Sequence, residues 1–126
     1  MSQNSQTGAT GEQAAADFLE KQGFTVVETN YRKPYGEIDI VAKKDRTIHF
    51  VEVKTSYYHP DPAFTPEIRV NTRKIRSLKK VCEMYLAERH AHDDQLWQID
   101  IISVILDGDA VKKLYFFENA VFERKY

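Results

Sequence analysis

Cysteine is almost absent from this chain of 126 residues; Cys82 is the only one. A lone thiol excludes an internal disulfide framework and any cysteine-rich zinc cluster. An excess of charge is missing as well. Lys and Arg total 18 against 19 Asp and Glu, for a formal net charge of -1. A polyanionic partner would therefore have to be held by a local patch. No apolar run is long enough to cross a bilayer, and Met1 to Gly8 carries neither a basic residue nor an apolar core. No membrane partner and no secretion signal are expected, and the expected location is cytoplasmic. There is no glycine-rich phosphate loop and no nucleophile elbow. His90 and His92 are two apart, which fits neither helical metal spacing nor a zinc motif. Repeats and low-complexity tracts are also lacking. The length suits one domain over residues 1–126, with the small polar residues 1–7 expected to fray.

What the chain does have is acid in the wrong company. Asp39 lies in Ile-Asp-Ile-Val-Ala, and Glu52 in Ile-His-Phe-Val-Glu-Val-Lys, which ends at Lys54. Such strands look largely buried, and buried carboxylates are rare unless paired or bound to a cation.

Pattern places these residues. Gly11 to Gln22 reads as a helix, with Ala15, Phe18 and Leu19 at helical spacing, Thr10 as its cap and Gly23 as its stop. Glu12 then falls in the first turn, where a carboxylate suits the helix dipole. Phe24 to Tyr31, Glu37 to Lys43 and Thr47 to Thr55 read as three strands of an antiparallel meander, turning at 32–36 and 44–46. Alternation puts Glu37, Asp39 and Val41 on one face, and Glu52 with Lys54 on one face of the next strand, with His49 turned away. An irregular segment over 56–69 contains Pro60, Pro62 and Pro66, and Tyr57 and Tyr58 open it as packing or base-stacking rings. Asn71 caps a second helix whose apolar stripe is Ile75, Leu78, Cys82, Tyr85 and Leu86, which makes Cys82 a packing residue. Leu96 to Leu106 and Ala110 to Phe117 are two further strands, joined at Asp107-Gly108-Asp109.

Two readings of Asp39, Glu52 and Lys54 compete. One is a structural ion-pair cluster. The other is a metal site for phosphodiester hydrolysis, in which a divalent cation activates water and neutralises charge. Magnesium takes hard oxygen ligands, often one or two carboxylates with water and phosphate. Asp39 and Glu52 meet that need, the carbonyl near Val53 would add a ligand, and Glu12 or Glu37 another oxygen. Lys54 would orient the water or stabilise developing charge. Arg69, Arg73, Lys74, Arg76 and Lys80 surround the start of the second helix, as a solvated face or as phosphate contacts.

These residues also resemble a known family. Gly36-Glu37-Ile38-Asp39-Ile40 followed by Phe50-Val51-Glu52-Val53-Lys54-Thr55 is similar to the signature of the YraN family of small bacterial proteins. Gly11-Glu12 with Ala15 and Leu19, Asn30-Tyr31-Arg32, Lys74 with Tyr85-Leu86, Trp97 with Ile99-Asp100, and Asn119-Ala120 with Phe122 match its other landmarks. That family resembles restriction-endonuclease-like nucleases of the PD-(D/E)XK class, including archaeal Holliday junction resolvases. The resemblance implies an α/β fold: helix, three-strand meander, helix and further strands, forming a central mixed sheet flanked by helices. It implies Asp39 and Glu52 as metal ligands for Mg2+ or Mn2+, Lys54 as the catalytic lysine and Glu12 as a helix-borne acid at the site. The implied activity is endonucleolytic cleavage of DNA, branched or structured DNA in particular, and paired incisions would suit a homodimer. The alternative is a nucleic-acid-binding module that keeps the fold without catalysis. Ser56 and Gln98 stand where many relatives carry arginine, which removes cations near a substrate.

Overall fold

Strands whose apolar residues face both ways need cover on both sides, and two helices supply it here. The computed structural model describes residues 2–61, 63 and 72–121. The elements run α1 (Ser2–Lys21), β1 (Thr25–Lys33), β2 (Gly36–Lys44), β3 (Thr47–Tyr57), α2 (Thr72–Glu88), β4 (Leu96–Asp107) and β5 (Ala110–Val121). The five strands form one sheet in the order β1-β2-β3-β4-β5. The first three pair antiparallel, as the meander predicts. β3 and β4 are parallel across the connection that contains α2, and β4 and β5 form an antiparallel hairpin. Gly108, at φ 62°, supplies the left-handed residue which that tight turn needs.

One apolar cluster lies on the α2 side, built on Val41, Phe50, Ile99 and Ile101 with Leu78, Val81, Cys82 and Tyr85. The other lies on the α1 side, with Ala15, Leu19 and Phe24 against Ile40, Val51, Ile102 and Val104. β4 is buried without a break from Ile99 to Leu106, as expected for a strand covered on both faces. Cys82 is a packing residue, as its place in the stripe predicts, and burial pushes its thiol pKa up. This arrangement is the expected restriction-endonuclease-like core.

Several sequence expectations need correction. α1 begins at Ser2, so residues 2–7 are helical rather than frayed, and Thr10 is not the cap. The reason is tertiary: the Thr7 hydroxyl lies 2.7 Å from that of Tyr57, which ties the helix start to the end of β3. Glu12 consequently lies beyond the first turn, which contains no acid, and the dipole reading of it fails. β1 continues to Lys33, so the turn before β2 shrinks to Pro34 and Tyr35. Strict alternation also breaks in β2, because Ile38 packs in the α2-side cluster while Ile40 packs in the other. Asn71, Pro62, Pro66, Arg69 and Phe122 lie outside the described residues.

Candidate functional site

The break in β2 is where the site forms. β2 pairs with β3 from Lys44↔Thr47 to Ile40↔Val51 and no further, so the strands part at Asp39. The Val53 N–H, left without a strand partner on that side, donates instead to Asp39 Oδ2 at 2.7 Å. That bond fixes the carboxylate across the gap. The gap opens into a cleft of about 360 Å³ lined by Glu37, Asp39, Glu52, Val53 and Lys54, with Lys74, Ser77 and Val81 of α2 opposite. Gly36 at its rim permits close packing, since a Cβ there would meet Val81 Cγ2 at 2.8 Å.

Alternation along β3 sends Phe50, Glu52 and Lys54 toward α2. Glu52 is partly buried, and both oxygens face lysine: Lys74 Nζ lies 3.1 Å from Oε1 and Lys54 Nζ 3.4 Å from Oε2. The second contact is close enough for attraction but out of line for hydrogen bonding, which leaves Oε2 buried without a hydrogen-bond partner. Burial pushes Asp39 up to about 6, helped by Glu12, Glu52 and Glu37 and opposed by the Val53 N–H. Burial and the neighbouring Lys74 lower the Lys54 pKa, outweighing Glu52. Lys74 is shifted up, its partial burial being outweighed by Lys54 and Glu52.

Glu12 reaches this region from α1. Burial raises its pKa, opposed by a hydrogen bond with Asn30, and Glu37 and Arg32 act on it with opposite signs. Its charge is felt at Asp39. The helix comes this near because residue 11 is glycine: a Cβ on Gly11 would stand 1.9 Å from Thr55 Oγ1.

The structure thus brings Asp39, Glu52, Val53 and Lys54 together, with Glu12 within electrostatic reach. The basic set divides. Lys74 enters the cleft, Arg76 is exposed outside it, and Lys80 sits 5.9 Å from the Tyr35 ring centroid. Arg73 belongs to α2, with no side-chain position described, and Arg69 is outside the described residues. The direct Lys74–Glu52 pairing was missed by sequence reasoning. Its signal was available, since Lys74, Ser77, Leu78 and Val81 share one helical face by spacing.

The donors suit a hard divalent cation. Two carboxylates and a nearby backbone carbonyl are hard oxygen donors, and the Glu52 oxygen that lacks a hydrogen bond and the raised Asp39 pKa are features that a cation would relieve. Among the described residues no three His, Cys, Asp or Glu side chains form a ready cage. A cation would therefore use the two carboxylates, the carbonyl and water. Nothing similar surrounds Asp100, which is fully buried. Asp100 accepts from Gln98, from the Asn119 N–H at 2.7 Å and faces His49 Nδ1 at 2.6 Å, so its oxygens are satisfied internally. Among the described residues no helix is long and apolar enough to cross a membrane.

Comparison with known proteins agrees with the strand motifs. The model of the family described as Uncharacterised protein family UPF0102, the YraN family, matches residues 11–104. A UPF0102 protein of Caldicellulosiruptor bescii is 40% identical over 117 residues, covering 91% of this chain and 96% of the relative. One from Alkaliphilus oremlandii is 40% identical over 119 residues, covering 93% and 98%. A third, from Clostridium botulinum strain 657, is 36% identical over 104 residues, covering 82% and 83%. The matched segment contains Glu12, Asp39, Glu52, Lys54 and Lys74, and the chain belongs to the UPF0102 (YraN) family.

Proposed function

We propose that this protein is a Mg2+- or Mn2+-dependent endonuclease that hydrolyses phosphodiester bonds in DNA, with branched or structured DNA as the expected substrate. The observation that carries this reading is the meeting of Asp39 and Glu52, with Lys54 and Lys74, in an open cleft where β2 and β3 part. Asp39, Glu52 and the Val53 carbonyl would hold the cation. When bound, it would supply Lewis acidity and a water of lowered pKa. The Val53 N–H holds Asp39 in a fixed orientation, so that carboxylate would need little rearrangement. Lys54 Nζ, with its pKa lowered, is suited to orient a water or to hold and release a proton there. Lys74, partly exposed at the α2 side, would meet phosphate oxygens as the substrate enters.

A panel of linear, flapped and four-way DNA incubated with magnesium or manganese tests this reading. Cleavage should require the cation and be lost in Asp39→Asn. No cleavage of any substrate, or undiminished cleavage by that variant, overturns it. One observation favours a second reading, a binding module without catalysis: Lys54 and Lys74 already neutralise Glu52. That reading predicts salt-sensitive DNA binding with no metal requirement, unchanged in Asp39→Asn.

A further inference from the structure

β5 is an edge strand, and on its α2-side face, among the described residues, Ala120 packs on the α2-side cluster while two large rings stay exposed. Phe116 and Leu114 turn toward α1 and pack there. The alternate residues Tyr115 and Phe117 turn the other way and remain 39% and 41% exposed, although large apolar rings ordinarily seek cover. They are stacked on each other, with centroids 6.4 Å apart and an interplanar angle of 26°. Strand register fixes where this pair stands. Glu52 pairs with Ile101, which pairs with Phe117; Lys54 pairs with Ser103, which pairs with Tyr115. Residues paired across a sheet share a face, so both rings lie in the same two rows, and on the same face, as the cleft residues Glu52 and Lys54. At about 4.8 Å per strand, they stand about 10 Å away. The next row adds a cation, the exposed Lys113 opposite Ile105.

We propose that Tyr115 and Phe117 form a stacking shelf for unpaired bases of single-stranded DNA, which leads the strand toward the Asp39–Glu52 cleft. This rests on the nuclease reading for its purpose, though not for its test. A single strand alone joins the two features the surface offers to bind, a polyanionic backbone for Lys54, Lys74 and Lys113 and free π-faces for the rings. A duplex keeps its π-faces stacked inside. The span from ring to cleft is short enough for a few nucleotides of a single strand to cross it. A second copy of this chain is the rival occupant. Two half-exposed rings are only a small part of the roughly 800 Å² per partner that a stable interface buries.

The test is fluorescence anisotropy with labelled oligothymidylate and with a duplex of equal length, in EDTA so that binding is read without cleavage. The variants are Tyr115→Leu/Phe117→Leu, which keeps apolar surface but removes the π-faces, and Tyr115→Trp, which keeps them. The leucine pair should weaken single-strand binding by roughly tenfold or more, with the duplex almost unaffected, and the tryptophan variant should bind like the wild type. Because both rings are exposed, thermal melts of the variants should match the wild type. Unchanged single-strand binding, or equal losses on single strand and duplex, overturns the proposal. So does a wild-type dimer that the leucine pair splits in sedimentation while single-strand binding persists, because the face then covers another copy. A protein that binds single strands through the rings but never cleaves leaves the shelf standing and removes the nuclease reading. One that cleaves, yet binds equally well without the rings, does the reverse.

Discussion

Ionising Asp39 in the folded protein places a charge in a site of limited hydration beside three other carboxylates. Burial first, then Glu12, Glu52 and Glu37, hold its pKa at about 6 against 3.8 for an unperturbed side chain. Between those values the folded state keeps a proton that the unfolded state has released. The group's contribution to stability is thus full below the unfolded value and is lost as pH rises through about 6. In metal-free buffer, Asp39→Asn should therefore be more stable than wild type at about pH 7.5, by about 1–2 kcal/mol after allowance for partial solvent contact. The gap should close toward about pH 4, where the wild-type carboxyl is itself neutral in the fold. Urea unfolding across this range reads it, and an asparagine variant less stable at neutral pH would contradict it. Asp39 and Glu52 were legible in sequence because a carboxylate in an apolar strand is costly unless something compensates it. The His49–Asp100 pair was not legible, although both residues are plain in the chain. Their meeting depends on the parallel register of β3 and β4, set across α2, and no local pattern encodes that register.

At the scale of elements, the meander and the hairpin were legible because turns and alternation are local. The start of α1 was not, because a contact fifty residues away between Thr7 and Tyr57 secures it. Gly11 shows the same dependence with opposite sign. Helix propensity alone says that Gly11→Ala should stabilise by about 1 kcal/mol. Packing says otherwise, since the new Cβ would meet Thr55 Oγ1 at 1.9 Å and Thr55 Cβ and Cγ2 at 3.0 Å. A branched side chain cannot turn all of these away, so α1 must move off β3. The expected net effect is a loss of about 1–3 kcal/mol, partly recovered by Thr55→Ala in a double-mutant cycle. A stabilised Gly11→Ala would show that α1 shifts freely, and would remove the reason for Glu12 to stay close to Asp39.

The fold gathers Glu37, Asp39 and Glu52 around one opening, with the charge of Glu12 felt at Asp39, whereas the unfolded chain disperses them. A chain of net charge -1 gives a cation little general reason to bind, so any strong preference for the folded state must arise locally. Folding and cation binding are then linked, and a ligand at a hundred times its dissociation constant adds about 2.7 kcal/mol to folded stability. For a domain of this size that corresponds to a rise in Tm of roughly 10 °C. Manganese chloride titrated during thermal melts at neutral pH should produce such a rise in the wild type. Asp39→Asn/Glu52→Gln should lose most of it, while sodium chloride at matched ionic strength should not reproduce it. Lys54 and Lys74 set the limit of the effect, because their ammonium groups already face Glu52 and must yield part of that contact to a cation. Equal shifts in the wild type and the double variant would mean that manganese binds elsewhere, and would leave the acids balanced by Lys54 and Lys74 at Glu52 and by Arg32 at Glu37.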